Sequence, residues 1–419
     1  MQVFTIAAKS LWNRKATAIL TIIAIAVSVT LLLGVERIRA EARNSFANTI
    51  SGTDLVVGAR GGSIQLLLYS VFRIGNATNN ISWGSYREFA DSPNVAWTIP
   101  FSLGDSHRGY RVLGTTPDYF KYYRYGEKRN LRFSNGGVFD DVFDAVLGAD
   151  VAEKLSYGVG DPLVVTHGIS KRGGTEHADK PFRISGILAK TGTPVDQTIH
   201  VSLAGIEAIH IDWRGGARVP GFTITADEVR GLNLQPKAIT AFLVGLNSRL
   251  DAFRVQRRIN TYGREPLTAI LPGVALHELW RVLGTAETAL SVISFFVIAT
   301  SLLGMLTVML AGVNERRREF AILRSVGAGT RHIFVLHLIE ALFLTAAGVI
   351  IGTSLLYGLL LITQPIIEDQ YGLFINIGAL TQGDLLRMTL VLTAGVVAGI
   401  APAWRAYRNT LADGLTARH

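Results

Sequence analysis

The sequence lacks several features that would identify an enzyme or a disulfide-stabilised protein. It contains no cysteine, which excludes disulfide bonds and thiolate metal sites. It contains neither the Gly-Lys-Ser/Thr ending of a nucleotide-binding P-loop nor the Gly-x-Ser-x-Gly elbow that presents a nucleophilic serine. We therefore predict that the chain is not an enzyme, has no catalytic residues and does not hydrolyse ATP by itself.

Long apolar runs, by contrast, are abundant. Four of them occupy residues 16–35, 284–313, 333–362 and 385–403. Each has about 20 residues or more, which is the length that an α-helix needs to cross a bilayer. The predicted fold class is a membrane α-helical protein with four transmembrane helices. A large α/β domain outside the cytoplasm, at residues 36–281, lies between helices 1 and 2.

Basic residues beside the apolar runs indicate the orientation in the membrane. Lysine and arginine are concentrated in residues 1–15, in the loop at residues 314–332 and in the tail at residues 404–419, whereas the loop at residues 363–384 has neither. The positive-inside rule therefore predicts that both termini and the 314–332 loop are cytoplasmic. Because the basic residues follow the membrane segments, the net charge of +9 does not predict a nucleic-acid partner.

The outer segment shows two sequence patterns. Residues 36–140 and 230–275 alternate between strand-like and helix-like stretches, whereas residues 141–229 have short strand patterns and many glycines. We predict a membrane-proximal α/β subdomain made from both ends of the segment, and a β-rich insertion at residues 141–229. Residues 95–103 and 108–115 are predicted to form a hairpin that turns at Gly104-Asp105.

The cytoplasmic loop carries the most informative short motif. From Asn314 to Ala328 it reads Asn-Glu-Arg-Arg-Arg-Glu-Phe-Ala-Ile-Leu-Arg-Ser-Val-Gly-Ala. Apolar residues recur at helical spacing with the arginines mainly opposite, and a glycine follows, which predicts a short amphipathic helix at the membrane surface. A basic interfacial anchor would give a similar pattern. The last apolar run closes with Ala-Pro-Ala-Trp-Arg-Ala-Tyr-Arg at residues 401–408.

These two motifs together resemble the FtsX-like permeases of MacB- and LolC-type ABC transporters. The resemblance covers the whole chain, with one helix, a large outer domain and three further helices. The segment Asp-Leu-Val-Val-Gly-Ala at residues 54–59 is similar to the start of that family's MacB-like periplasmic core domain. The resemblance implies a permease subunit in the bacterial inner membrane, multi-pass, with its large domain in the periplasm.

In that family a separate cytoplasmic ABC ATPase binds Mg-ATP and engages the loop. The resemblance therefore implies mechanotransmission, in which ATP-driven motion passes through the helices to the outer domain for export, extraction or partner activation. Because no ATPase domain precedes the first helix, we expect the ATPase on another chain. The implied partners also include a second permease in a homodimer or heterodimer, a periplasmic protein and membrane lipids. The implied coupling residues are Glu315, Arg316, Arg317, Arg318, Glu319, Phe320, Leu323, Arg324 and Gly327.

Glu340 is an acidic residue within the third apolar run. A carboxylate at that depth is costly unless it faces the helix bundle, finds a partner or is protonated. One acidic residue alone is a poor proton or ion relay, so we favour a polar contact to a neighbouring helix or to a dimer partner.

The outer domain has several histidines, and some of them lie close together in sequence. His167 and His177 flank a polar loop, so a hairpin there would bring them together. Imidazole and carboxylate groups suit zinc, which would be the only cofactor of this chain itself. The metal-ligand candidates are His167, His177, Glu176 and His210. Scattered surface histidines without a metal are the alternative, because none of them shows the spacing of a zinc-binding helix.

Other classes of function fit the sequence less well. A secondary transporter would need more spans or several buried charges. A membrane-anchored sensor or adaptor with a ligand-binding or metal-binding outer domain is the main alternative, although a sensor predicts a longer cytoplasmic part. Within the permease interpretation the residues favour no single cargo among lipoproteins, lipids, peptides, metal-related substrates and cell-wall hydrolases.

Overall fold

The structure is a computed structural model, and it divides the chain into two compact units. The membrane unit comprises residues 1–41, 284–366 and 375–419, and the outer unit comprises residues 42–283 and 367–374. The residues that the structure describes are 14–126, 128–168, 176–214, 217–219, 224–316, 319–320, 322, 325, 327–371 and 377–408.

The α-helices follow the apolar and amphipathic patterns of the sequence. Their bounds are α1 Lys15–Thr49, α2 Ser63–Ser70, α3 Trp83–Ala90, α4 Asp118–Tyr122, α5 Ala149–Leu155, α6 Leu203–His210, α7 Ala226–Arg230, α8 Ala252–Asn260, α9 Pro272–Glu315, α10 Thr330–Tyr371 and α11 Gln382–Arg408. Short 3-10 helices cover Pro194–Gln197 and Arg249–Asp251. Four of these helices, α1, α9, α10 and α11, are long and apolar enough to cross a membrane, with spans Lys15–Glu41, Gly284–Val313, Thr330–Ile366 and Gln382–Arg408. The predicted fold class is confirmed.

Helix α10 is the central helix of the membrane unit. Half of its apolar span is buried, compared with 17% for α9 and 22% for α11. Gly348 and Gly352 of α10 touch α1 directly, since a Cβ atom at Gly352 would lie 2.5 Å from the carbonyl oxygen of Ala26. Gly395 and Gly399 of α11 pack in the same way against α10. Both pairs have the Gly-x-x-x-Gly spacing that lets helix backbones approach closely in a membrane.

The outer unit is built on one large mixed sheet. The strands of the outer unit, including those of three small two-stranded sheets, are β1 Leu55–Ala59, β2 Ile81–Ser82, β3 Val95–His107, β4 Tyr110–Thr115, β5 Arg124–Tyr125, β6 Arg129–Asn130, β7 Phe133–Gly136, β8 Asp144–Leu147, β9 Pro162–Leu163, β10 Thr166–His167, β11 Phe182–Leu188, β12 Thr198–Ser202, β13 Trp213–Arg214, β14 Ala217–Arg218, β15 Ala238–Ile239, β16 Ala241–Leu246 and β17 Leu267–Ile270. The main sheet has the order β17-β1-β16-β3-β4-β12-β8-β11-β7, with β10 paired to β3 and β9 paired to β11. The pairs β4–β12 and β8–β11 are parallel, and the other pairs are antiparallel.

The segment predicted as an insertion contributes its main strands to this same sheet. Strands β8, β11 and β12 lie within residues 141–229, and β12 pairs directly with β4. The segment still has its own apolar core, in which Phe143, Phe182 and Ile199 pack with Val112 of β4. The main sheet of the outer unit is therefore continuous through the segment predicted as an insertion, with several apolar cores along its length.

The turn between β3 and β4 differs from the prediction. The strands are joined at Arg108-Gly109, where both residues have positive φ angles of 48° and 92°. Two successive positive φ angles give the two-residue turn whose twist matches that of the paired strands. The predicted turn at Gly104-Asp105 is wrong, because the pairing continues past a register shift between Leu103 and Ser106. Asp105 thus lies within a strand, and its side chain is buried.

Candidate functional site

Four side chains that can bind a metal converge in the outer unit. Asp105 lies on β3, and His167 on β10 is its direct neighbour in the antiparallel register. His177 follows the bridge between Thr166 and Glu176 that closes the predicted hairpin. His210 is the last residue of α6. The fold thus brings together residues that are up to 105 positions apart in sequence, counted from Asp105 to His210.

The ligand atoms of these four residues are close to one another. One atom from each of the four lies within 4.8 Å of the others. The Nδ1 atom of His167 is 3.1 Å from Nε2 of His210 and 3.2 Å from Oδ1 of Asp105. Nε2 of His210 is 3.7 Å from the same carboxylate oxygen. This group is named the Asp105–His210 cluster below.

His177 is the most buried member of the Asp105–His210 cluster. Its side chain is fully buried, and neither ring nitrogen has a hydrogen-bond partner among the described residues. Burial lowers the pKa of His177 to about 4, and the neighbouring His210 adds to the effect. The Asp105 carboxylate, 3.2 Å from Nδ1 of His167, raises the pKa of His167. His177 is therefore neutral at pH 7 and has a ring nitrogen lone pair available.

The surroundings orient the ligands and shield one side of the cluster. Nδ1 of His210 donates a hydrogen bond to the carbonyl oxygen of Ile206 over 2.8 Å, which leaves the Nε2 lone pair directed at the cluster. The ring of Trp213 stacks at a tilt against His177, with centroids 4.4 Å apart. Nearby, a buried ion pair of 2.9 Å joins Lys180 to Asp212.

The candidate Glu176 and two further histidines of the outer unit lie elsewhere. Glu176 is exposed and is not a member of the cluster, in which Asp105 supplies the carboxylate. His107 contacts the carbonyl oxygen of Val164 at 2.6 Å and is a core residue. His200 is also a core residue, and burial lowers its pKa to about 3. Sequence reasoning missed Asp105 because it placed this residue in a turn.

Glu340 is paired with a residue of the 314–332 loop. Its Oε1 atom accepts a 2.9 Å hydrogen bond from Nη1 of Arg316, and both side chains are buried. Arg316 also contacts Glu319 at 2.9 Å. The pair joins the end of α9 to α10, which agrees with the structural interpretation of Glu340. Sequence reasoning did not find the partner, because Arg316 was considered only as a residue facing the ATPase.

Phe320 packs against the chain's own helices. It is 5% exposed and belongs to a cluster with Val313 of α9, Ile333 of α10 and Ala406 of α11. The guanidinium of Arg316 lies over its ring, 4.8 Å from the centroid. The resemblance implies that Phe320 is a residue that couples to the ATPase, but its side chain packs against the chain's own helices. Helical spacing shows that apolar residues share one face, not which neighbour covers that face.

The remaining coupling candidates are only partly described. Glu315 forms an ion pair with Arg14. Gly327 has a φ angle of 101°, which favours glycine and suits the end of a helix. Ile322, which was not a candidate, has an exposed side chain. The candidates Arg317, Arg318, Leu323 and Arg324 lie outside the described residues.

A second polar network, which sequence reasoning missed, joins α1 to α11. Arg37 is 7% exposed, donates to the carbonyl oxygen of Gly378 at 2.8 Å and lies 3.6 Å from Asp384. Arg387 contacts Glu36 at 2.9 Å. The sequence did contain a signal for this network. Charged residues of both signs lie at the end of the first apolar run and at the start of the last one.

Comparisons with known proteins agree with this architecture. The family model described as MacB-like periplasmic core domain matches residues 18–261, and the model described as FtsX-like permease C-terminal matches residues 291–411. The chain is 22% identical over 360 residues to the macrolide export ATP-binding/permease protein MacB of Nitrobacter winogradskyi, which covers 81% of this chain and 50% of that protein. It is 24% identical over 359 residues to the MacB protein of an Azoarcus species, covering 80% of this chain and 48% of that protein. The chain thus spans about half the length of the curated relatives it matches.

Two solved structures are also similar to part of the chain. One is the periplasmic region of MacB from Actinobacillus actinomycetemcomitans, with 12% identity and a TM-score of 0.32, covering 55% of this chain and 94% of that one. The other is the extracellular domain of the noncanonic ABC-type transporter YknZ from Gram-positive bacteria. It has 10% identity and a TM-score of 0.31, and it covers 52% of this chain and 99% of that one.

The family membership rests on the match of the two models to both units. The periplasmic core domain model alone covers more than half of the chain, and the permease model covers α10, α11 and most of the span of α9. The predicted resemblance is confirmed. This chain belongs to the FtsX/MacB-type family of ABC transporter permeases and is a multi-pass membrane protein.

Proposed function

We propose that this chain is the permease subunit of an ABC transporter that works by mechanotransmission. A separate cytoplasmic ATPase binds and hydrolyses Mg-ATP in this proposal. Its motion passes through the membrane helices to the periplasmic domain, which moves a cargo or activates a partner there. Family membership supports the permease function, and the packing of the cytoplasmic loop supports the coupling.

The observation that carries the proposal is the anchoring of this loop. Phe320 belongs to one buried apolar cluster with residues of α9, α10 and α11, and Arg316 pairs with Glu340 of α10. Close-packed interiors transmit displacement instead of absorbing it. A push on the loop would therefore be transmitted to three membrane helices together. A loop attached only by its two ends would yield to the same push.

The surface of the loop that remains for an ATPase includes Ile322. Its side chain is 55% exposed, whereas Phe320, two residues earlier, is buried. Two residues on a helix are separated by about 200°, so the two side chains face in opposite directions. Phe320 thus faces the membrane helices and Ile322 faces the cytoplasm, where an apolar contact with the ATPase would form.

We expect an ABC ATPase to copurify with the tagged chain from its native membranes in mild detergent. The complex should hydrolyse ATP, and the chain separated from it should not, because no P-loop motif is present in the sequence. Ile322→Asp should reduce the copurified ATPase at least about 10-fold, because it places a charge in an apolar contact. Mass spectrometry of the purified complex measures the ratio of the two subunits.

The matched control is Leu250→Asp in the outer unit. Leu250 is 91% exposed, so the same change of chemistry occurs far from the loop in sequence. This variant should retain the ATPase at the wild-type ratio. The proposal of a separate ATPase is wrong if no ATPase copurifies with wild-type chain. The assigned contact is wrong if both variants retain the ATPase equally.

The orientation gives a second test. A reporter enzyme that is active only outside the cytoplasm should work when fused after Gly231 and fail when fused after Gly329. The physical reason is the concentration of arginine and lysine around the 314–332 loop and their absence from residues 363–384. Fluorescence of a reporter that folds only in the cytoplasm should give the reverse result at both positions. Equal signals from the two sites would contradict the topology and the coupling role of the loop.

The proposal extends to assembly and location by family membership. The chain would form a homodimer or a heterodimer with a related permease in the bacterial inner membrane, next to a periplasmic partner protein. Exposed aromatic residues on α9, such as Phe295 and Phe296, provide apolar surface for lipid or for a second permease. A membrane-anchored metal-binding adaptor is the alternative function, which the Asp105–His210 cluster favours. Metal binding without any copurifying ATPase would select that alternative.

A further inference from the structure

We propose that Asp105, His167, His177 and His210 form a binding site for a divalent transition metal, and that zinc fits it best. The site lies entirely in the outer unit. The inference goes beyond the proposed permease function, because metal binding there requires neither an ATPase nor the membrane helices.

The spacing of the ligand atoms suits a tetrahedral ion. Zinc–nitrogen and zinc–oxygen bonds of about 2.0–2.2 Å place neighbouring ligand atoms about 3.3–3.6 Å apart. The three measured separations among Asp105, His167 and His210 are 3.1, 3.2 and 3.7 Å. The fourth ligand, His177, comes within 4.8 Å of the others.

The burial of His177 argues for a bound ion over a purely structural histidine. Burying an imidazole away from water without giving its nitrogens a hydrogen bond destabilises the folded protein. Neither nitrogen of His177 finds a partner among the described residues, although the side chain is fully buried. The core histidines His107 and His200 each contact a backbone carbonyl oxygen. A metal–nitrogen bond would likewise give a ring nitrogen of His177 a bonding partner.

The ligand types select the ion. Three imidazole nitrogens and one carboxylate oxygen suit zinc and its neighbours in the first transition row, whereas calcium and magnesium prefer six or more oxygen ligands. The carbonyl oxygen of Ile206 accepts the Nδ1–H of His210, which is the arrangement that orients metal-binding histidines in proteins. Four protein ligands around one ion complete a tetrahedral shell, so the site predicts binding without hydrolytic chemistry.

The site is accessible from one side. The side chain of His167 is 41% exposed and that of His210 is 25% exposed, whereas Asp105 and His177 are buried. An ion from solution can therefore reach the cluster without unfolding the domain. Bound there, it would join strand β3, the β10 hairpin and helix α6.

The test uses the full chain in detergent micelles after removal of its purification tag and of bound metal. We expect calorimetry to show one Zn²⁺ per chain with a Kd of about 1 μM or tighter. Cobalt should produce the intense visible absorption of a tetrahedral Co²⁺ complex. Zinc should also raise the thermal unfolding midpoint, because it binds the folded state.

His167→Ala removes the most exposed ligand and should weaken zinc binding at least about 10-fold. His210→Gln is the second variant and should have the same effect. His277→Ala is the matched control, because His277 is exposed and lies outside the cluster; it should bind zinc like the wild type. Circular dichroism checks that each variant is folded.

Two results would overturn the proposal. One is a wild-type chain that shows no cobalt absorption and no zinc binding below about 100 μM. The other is equal affinity in the wild type and in a folded His167→Ala or His210→Gln variant. Copurification of the ATPase is unaffected by either result, so failure of the metal site is distinguishable from failure of the permease proposal.

Discussion

Replacing Glu340 with alanine is expected to lower the free energy of unfolding of the membrane helices by about 3–5 kcal/mol. The reason is that Arg316, only 8% exposed, would lose the buried partner that its Nη1 atom contacts at 2.9 Å. Without Glu340, the buried charge of Arg316 keeps its contact with the exposed Glu319 but loses its buried partner, and removing one member of a buried pair costs more than the pair itself contributes. Thermal unfolding of the purified chain in detergent measures the effect.

Glu319→Ala provides the matched control for this prediction. Glu319 contacts the same arginine at 2.9 Å, but its side chain is 62% exposed. Exposed ion pairs contribute about 0–1 kcal/mol, so this variant should unfold close to the wild-type midpoint. The double replacement Arg316→Met with Glu340→Leu should recover much of the lost stability, since apolar side chains need no charged partner. Equal unfolding midpoints for Glu340→Ala and Glu319→Ala would show that the buried pair is not what stabilises this region.

Replacing Gly352 with leucine should separate α1 from α10 and prevent normal assembly of the membrane unit. A Cβ atom at this position would lie 2.5 Å from the carbonyl oxygen of Ala26 and 3.0 Å from Cβ of Val29. Backbone atoms cannot move aside as a flexible side chain can. The separation would also break the hydrogen bond of 2.9 Å from Thr30 to the carbonyl oxygen of Gly352. Overpacking costs about 1–3 kcal/mol or more, and the lost contact along two helices adds to it.

Gly358→Leu is the control for Gly352→Leu on the same helix. Among the described residues, no heavy atom outside the backbone of the helix itself and the chain neighbours of Gly358 lies within 4 Å of a Cβ atom built there, so the larger side chain has room. We expect normal yield and a normal unfolding midpoint for this variant. For Gly352→Leu we expect a midpoint lower by several degrees, or loss of monodisperse protein in size-exclusion chromatography. The close packing of α1 on α10 would be contradicted if both variants behaved like the wild type.

The membrane helices were predictable because hydropathy depends on local composition. A run of about 20 apolar residues strongly favours a helix that spans a membrane. The four spans in the structure match the four predicted runs. The partner of Glu340 was not predictable, because Arg316 is 24 positions away and contacts it only after two helices have packed. The glycine pairs at residues 348–352 and 395–399 were visible in the sequence, but their spacing does not indicate which helix each pair contacts.

The candidate metal ligands likewise include some that local sequence predicts and one that only tertiary packing brings into place. His167 and His177 flank a polar loop, so a local hairpin was enough to predict that they meet. Asp105 required the register of two strands that are about 60 residues apart in sequence, and a glycine next to it favoured a turn. One register shift in β3 moved the turn and placed the carboxylate inside the domain. Local sequence patterns thus identified the histidines, whereas only the pairing of distant strands places Asp105 beside them.

The continuous sheet of the outer unit has a mechanical consequence. The chain enters this unit from α1 through β1 and leaves it into α9 from β17, and these two strands are neighbours at one end of the sheet order. Strand β7 is at the opposite end, eight strand spacings from β17, or about 38 Å along the sheet at 4.8 Å per spacing. A rigid sheet rotated by about 10° about β17 would displace β7, about 38 Å away, by about 7 Å. A small rotation of the β17 end of the sheet would thus move the β7 end by more than the rise of one helical turn, about 5.4 Å.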